Sequence, residues 1–318
     1  MARKKKKTTD LKELIKTSDG LLKAGDDEEL QYQRIPFDIP ALDTLTGGGI
    51  PRKRLTMIVG LPNVGKTFLA SQIVSQAQKA GGKAVWIDLE MSWDPQWMQK
   101  CGIDLNEILV SQPTTAESAF DLTKTLLENS VDVVVIDSLA SLVPSVVSDN
   151  DFGYNPVAWQ ARFINSALPK LLPALKNGSA LIAINQFRSG VGPVANQNLP
   201  GGIGQEYFAH FILQCRRAGW IEDSAKNKLG FDIEVRCRKT KVGGTPYGST
   251  VVPFKLELGQ IDIVELYARE GLVQGHITKA GAWYTYEEDR VMGQNGLREF
   301  FVNNPPAFEK LKAQVNAA

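Results

Sequence analysis

The sequence predicts an α/β protein with a doubly wound, mostly parallel sheet flanked by helices, and three observations carry that expectation. Continuous apolar runs such as VDVVVID (Val131 to Asp137) and ALIAIN (Ala180 to Asn185) suit strands buried on both faces. Such runs alternate with segments of helical spacing, the pattern of parallel strands joined by crossover helices. Between the first of these strands and the first of these helices, GLPNVGKT (Gly60 to Thr67) fits the phosphate-loop pattern G-x-x-x-x-G-K-[ST].

In chain order, the basic run from Arg3 to Lys7 reads as a solvated tail. Leu11, Leu14 and Ile15 then have helical spacing, with Asp10 and Glu13 as a capping pair, before a polar break from Gly25 to Gln31. This short N-terminal helix, within residues 1–30, has little to bury itself against and must dock on its own core or on a neighbouring subunit. The core, residues 31–258, opens with a strand at Leu55 to Val59, the loop, and a helix from Lys66 to about Lys79. A strand at Ala84 to Leu89, a helix within Glu117 to Glu128 and a strand at Val131 to Ile136 follow. A helical stretch from about Val157 to Lys176 leads to the strand at Ala180 to Asn185, with a kink expected at Pro169 and Pro173. Beyond Gln205 the texture becomes alternating, with Phe231, Ile233, Val235 and Cys237 on one face and Asp232, Glu234, Arg236 and Arg238 on the other. That reads as antiparallel strands extending the sheet. Residues 259–318, with helical runs around Phe300 and Leu311, read as a small C-terminal α+β domain.

Composition narrows the function classes. The chain has 318 residues, 43% hydrophobic and 22% charged, and a formal net charge of +1, so a nucleic-acid surface would need local concentration of cations. Three widely spaced cysteines and two histidines give no zinc-ligand spacing, and an odd cysteine count suits a reducing compartment. No apolar run follows Lys7, and no stretch approaches the ~18 apolar residues of a membrane span, so the expected location is the cytoplasm.

The phosphate loop makes Gly60, Leu61, Pro62, Asn63, Val64, Gly65, Lys66, Thr67 and the adjoining Phe68 the candidate nucleotide-binding set. Its glycines let successive N–H groups face phosphate oxygens, and the following helix offers its positive end to the same anion. Lys66 would reach the terminal phosphates of ATP and Thr67 a Mg²⁺ ion. Asp137, closing VVVID, is placed to hold the metal through water. Hydrolysis also needs a group that activates water. Residue 138 is Ser, so the candidate base is Glu90 at the end of AVWIDLE, with Asp88 one pleat earlier as its rival. In EMSWDPQWM, Trp97 offers a face for the adenine ring and Asp94 a contact to its edge. RSGVGPVANQNLPGGIGQ, Arg188 to Gln205, holds five glycines and no charge after its first residue, which suits a mobile loop whose backbone N–H groups meet phosphates. Its candidate contacts are Arg188, Gly190, Gly192, Asn196, Gly201 and Gly202; Arg162 lies on the helix after a second candidate loop, roughly Ser145 to Asn155.

The order GLPNVGKT, WIDLEMSWDP, VVVIDSLASLVP, AINQFRSGVG, RKTK and KAGAWYTY resembles the RecA recombinases, bacterial and bacteriophage, from about Ile35 to about Val315. The resemblance implies a RecA-like core, ATP and Mg²⁺ as ligands, and a helical homo-oligomeric filament on single-stranded DNA that exchanges strands with homologous duplex. It implies Glu90 as the water-activating base, Trp97 and Asp94 as adenine contacts, and Gln186 as the sensor of the terminal phosphate. By the same resemblance Lys239 and Lys241 reach into the neighbouring subunit's ATP, and Arg216, Arg217 and Arg236 bind the second, duplex DNA. A recombination mediator or a single-strand-binding protein would be a loading partner. A ring helicase on the same core and a non-catalytic ATP-binding mediator are the alternatives. Three features depart from the bacterial pattern: no aromatic residue occurs between Phe187 and Tyr207, Pro169 and Pro173 interrupt the helix after Arg162, and the chain ends LKAQVNAA without an acidic tail, which favours a phage-type or shortened member.

Overall fold

Apolar runs too short for helices and rich in Val and Ile become the central strands, each flanked by a turn or helix cap that stops it. The computed structural model describes residues 32–145, 156–187, 199–223 and 225–317. The expected N-terminal helix and the loop positions Arg188, Gly190, Gly192 and Asn196 therefore lie outside the described residues.

The elements run β1 (Arg34–Ile35), α1 (Pro40–Thr46), β2 (Ile50–Pro51), β3 (Leu55–Gly60), α2 (Lys66–Lys79), β4 (Ala84–Asp88), α3 (Pro95–Lys100), β5 (Ile108–Ser111), α4 (Ala116–Glu128) and β6 (Val133–Asp137). After a 3₁₀ turn at Leu139–Ser141 come α5 (Pro156–Leu171), a second 3₁₀ turn at Ala174–Asn177, β7 (Ala180–Gln186), α6 (Gly204–Phe208), β8 (Phe211–Glu222), β9 (Lys228–Thr240), β10 (Ser249–Lys255) and β11 (Gln260–Ile261). The chain closes with α7 (Ile263–Val273), β12 (Ile277–Ala280), β13 (Trp283–Tyr286), β14 (Asp289–Met292), α8 (Gly293–Asn303) and α9 (Pro305–Ala317).

The main sheet has nine strands in the order β11-β10-β9-β8-β3-β7-β6-β4-β5. From β8 through β3, β7, β6 and β4 to β5 all pairings are parallel, and β8 to β11 continue the sheet antiparallel. β3 and β4 are consecutive along the chain yet separated in the sheet by β7 and β6, so their carboxyl ends open a crevice, the usual ligand position in such sheets. Register sets the site: Gly60 pairs with Gln186, and Asp88 pairs with Asp137.

The helix expected to run to Lys176 stops at Leu171. Pro169 is carried within α5, but Pro173 lacks an N–H and restricts the residue before it, so the chain tightens into the 3₁₀ turn. Two hydrophobic clusters form within the unit that runs from Arg34 onward. The larger packs α4 and α5 under β3, β6 and β7, with Val134, Ile136, Ile164 and Leu181 fully buried. The smaller joins Tyr267, Tyr286, Leu297, Phe301 and Leu311 of the C-terminal elements. Between them Asp262 caps α7 by accepting from Glu265 N at 3.1 Å and takes Arg298 Nε at 2.6 Å. Lys255, whose Nζ lies 3.2 Å from Glu265 Oε2, and Arg269, 2.8 Å from Asp232, tie α7 to β9 and β10.

Candidate nucleotide and DNA sites

The phosphate loop turns where only small residues fit. A Cβ on Gly60 would lie 2.5 Å from the Cys215 carbonyl oxygen, and one on Gly65, at φ +92°, would meet Ile233 Cδ1 at 2.4 Å. Gly65 is also the N-cap of α2 and has no side chain to accept the first helical N–H groups, so these stay directed at an external anion. Lys66 is buried, and its Nζ donates to the Leu61 carbonyl at 2.7 Å. Burial lowers its pKa, opposed by Cys215, Asp137 and Glu90, so the ammonium is a poorly hydrated charge over the loop.

Across the crevice the Thr67 hydroxyl donates to Asp137 Oδ2 at 3.1 Å. Burial, then the nearby carboxylates Glu90 and Asp88, push the Asp137 pKa up to about 7. A buried carboxylate beside two others calls for a cation, and Thr67 with Asp137 is the donor set that suits Mg²⁺. Glu90 Oε1 accepts from Ser138 Oγ at 2.6 Å, Gln186 Nε2 at 2.5 Å and Ser141 Oγ at 3.5 Å. Asp88 instead accepts from Trp93 N at 3.0 Å and Gln112 Nε2 at 2.8 Å, so it holds the segment behind Glu90.

A cavity of about 490 Å³ runs from Asn63–Phe68 past Glu90 to Trp97 and Met98, walled by Phe231 and Phe254. Trp97 meets Phe254 edge-on, ring centres 6.1 Å apart. Asp94 caps α3 through its Oδ1, which accepts from Gln96 N at 2.9 Å and Trp97 N at 3.2 Å. One carboxylate thus fixes the start of the helix that presents Trp97.

Lys239 and Lys241 come together as their spacing suggests. A register shift in the β8–β9 pairing, at Ile212/Leu213, leaves Arg238 as an extra residue, after which Lys239 Nζ donates to the Glu206 carbonyl and Lys241 Nζ to the Tyr207 carbonyl at 2.9 Å. Both ammonium groups therefore sit at the C-terminal end of α6, where carbonyls point outward. Burial and then Lys241 lower the Lys239 pKa. His210 adds no charge there at neutral pH, because burial and then Arg54, Lys241 and Lys239 push its pKa down to about 4.

The candidate DNA residues fall into separate groups. Arg162 is exposed on α5 beside the Trp159 ring. Gly201 is buried against Ile164 whereas Gly202 is exposed, and residues 199–205 form a folded turn in which Asn185 Nδ2 donates to the Pro200 carbonyl at 3.0 Å. Arg216 pairs with Glu234 across the β8–β9 hairpin, Arg217 lies 4.2 Å over the Trp220 ring, and Arg236 is exposed.

Sequence reasoning missed Ser138 and Ser141 as partners of Glu90, and Phe231 and Phe254 as cavity walls. The serines had a signal, since both follow Asp137 within one turn. The aromatics had none, because their place depends on β9 and β10 folding back across the loop.

A family profile described as the RecA N-terminal domain matches residues 8–258. The chain is 34% identical over 302 residues to Protein RecA of Aquifex aeolicus (strain VF5), covering 92% of this chain and 85% of the relative. It is 35% identical over 301 residues to Protein RecA of Thermus aquaticus, covering 93% and 88%, and 34% identical over 307 residues to that of Enterococcus faecium, covering 94% and 86%. A nucleotide cradle and a carboxylate rim on this sheet order, together with likeness over nearly the whole chain, place it: the chain belongs to the RecA family and is a RecA-type recombinase.

Proposed function

We propose that the chain is a DNA-dependent ATPase that assembles as a helical filament on single-stranded DNA and uses ATP binding to drive pairing and exchange with homologous duplex. The observation that carries this reading is the convergence of Ser138 and Gln186 on Glu90, at the sheet rim that bears Asp137 and faces Lys66 at the start of α2. The N–H groups at the start of α2 and Lys66 bind the phosphates. Thr67, and Asp137 through water, would hold Mg²⁺, which would supply positive charge against the phosphate oxygens. Glu90 takes a proton from water as the oxygen attacks the terminal phosphorus and the bond to the leaving ADP oxygen breaks. Trp97 stacks on adenine, and Asp94, with Oδ1 committed to the α3 cap, offers Oδ2 to the exocyclic amine. Gln186 donates to Glu90 and precedes the proposed DNA-contacting segment by two positions, so DNA and the terminal phosphate would bear on one side chain.

Lys239 and Lys241 complete the site of an adjacent copy, adding cations at the terminal phosphate. Arg162, Arg188, Gly190, Gly192, Asn196, Gly201 and Gly202 track the first strand, and Arg216, Arg217 and Arg236 the incoming duplex. Residues 1–30 dock between subunits, residues 31–258 carry the ATP and DNA sites, and residues 259–318 form a small accessory domain. The working compartment is the cytoplasm, with a mediator or single-strand-binding protein assisting loading; no helix among the described residues is long and apolar enough to cross a membrane.

Parallel measurement of Lys66→Ala and Glu90→Gln tests the reading. Lys66→Ala should abolish ATP-driven assembly, whereas Glu90→Gln should bind ATP and form filaments while hydrolysis falls about 10²- to 10⁴-fold. Full hydrolysis by Glu90→Gln would remove Glu90 from the role of base.

A further inference from the structure

Gln160 is a polar side chain on the buried face of α5, one turn before Ile164, with 4% of its surface exposed. Helix packing alone would place an apolar residue there. Its Nε2 instead reaches three carbonyl oxygens, those of Leu139 at 3.1 Å, Ala140 at 2.9 Å and Leu142 at 3.1 Å. Three acceptors require the amide nitrogen to face them, and its two protons are shared among the three.

These carbonyls belong to the turn after Asp137, which is closed from within by Ser141 N to Ser138 O at 3.1 Å and by a longer Leu142 N to Leu139 O bond of 3.4 Å. The same turn carries the Ser138 and Ser141 hydroxyls that approach Glu90 Oε1 at 2.6 and 3.5 Å. We propose that Gln160 is a positioning residue for ATP hydrolysis: by gathering the carbonyls of residues 139, 140 and 142 it fixes the turn whose two serines orient Glu90. The inference rests on Glu90 being the base. Without the amide, three carbonyls under α5 lose their donor, the turn rotates to find others, and Glu90 is held by Gln186 alone. Misplacement of a catalytic group by a fraction of an ångström is enough to slow the chemical step. Arg162 follows Gln160 by two positions on the same helix, so the DNA-stimulated rate is the one to measure.

Gln160→Met keeps the length of the side chain and removes its donor. In the full-length protein with saturating single-stranded DNA, kcat should fall about tenfold with KM for ATP unchanged. Ser138→Ala should lower kcat in the same way, and adding Gln160→Met to it should cost little more, since both act through one turn. Wild-type kcat in Gln160→Met, a rise in KM alone, or fully additive losses would each overturn the inference. Should Gln160→Met not fold, Ser138→Ala and Ser141→Ala carry the test, and unchanged kcat in both overturns it. Glu90→Gln is assayed alongside: if it hydrolyses ATP normally, the base assignment fails and the inference with it, whereas an inactive Glu90→Gln beside a normal Gln160→Met sinks the inference alone.

Discussion

At the residue scale, Asp137 carries the strongest electrostatic consequence of the site. Burial and the neighbours Glu90 and Asp88 raise its pKa from 3.8 to about 7, so the folded protein favours the protonated form and the unfolded chain does not. Stability from this group is therefore complete below pH 3.8 and is lost as pH rises through about 7. Asp137→Asn removes that loss and should stabilise the nucleotide-free protein at pH 8 by on the order of 2 kcal/mol, with little gain at acid pH. Urea melts of both proteins at acid and alkaline pH check this, and parallel stability profiles would contradict it. If Asp137 serves a Mg²⁺ ion as proposed, it must lose its proton to do so, and the Mg²⁺ concentration needed for half-maximal hydrolysis should rise as pH falls below about 7.

At the element scale, the end of β9 and the helix α6 form one unit. Lys239 and Lys241 lean on the α6 carbonyls, and Arg238 Nη2 donates to Glu206 Oε1 at 2.9 Å, so three cations are tied to α6. Two ammonium groups side by side need an anion or solvent. If the anion is the terminal phosphate of a neighbouring copy, Lys239→Ala/Lys241→Ala should fold and bind nucleotide normally but lose DNA-stimulated hydrolysis. Mixing this protein with Glu90→Gln should restore part of the rate, because one of the mixed interfaces joins an intact base to intact lysines. Absence of recovery across mixing ratios, with co-assembly confirmed, would place the lysines on DNA or on their own subunit's nucleotide.

For the whole molecule, a net charge of +1 makes DNA binding a matter of where cations cluster. Affinity for single-stranded DNA should fall steeply with salt through counterion release, and it should be nearly indifferent to sequence, since a groove that tracks the backbone reads no base edges. A strong preference over scrambled strands of equal composition would contradict the filament reading. Electron microscopy with ATP and single-stranded DNA should show open helical filaments and not closed rings. The C-terminal elements stay attached through Asp262, which is 3% exposed and faces Arg298 and Lys255. Asp262→Ala leaves Arg298 without its carboxylate and α7 without its cap, while Lys255 keeps Glu265, and should cost about 2–4 kcal/mol in a thermal or urea melt.

The sequence by itself determined the central strands, the phosphate loop between β3 and α2, the carboxylates Glu90 and Asp137, and the pairing of Lys239 with Lys241. Each is encoded locally: a buried parallel strand needs an unbroken apolar run, an anion loop needs its glycines, and neighbouring cations on one strand need only their spacing. Register could not be read this way. That Asp88 pairs with Asp137 and Gly60 with Gln186 follows from β7 and β6 inserting between β3 and β4, a choice made by packing across the sheet. Tertiary structure also decided that Ser138 and Ser141 turn toward Glu90, that Asp88 serves the Trp93 segment, and that Phe231 and Phe254 wall the cavity beside Trp97. Asp88 and Trp93 are five positions apart, but the other contacts join residues about 50 to 190 positions apart, and a contact across such a separation leaves no periodic trace in the chain; only the fold that buries both partners brings them within reach.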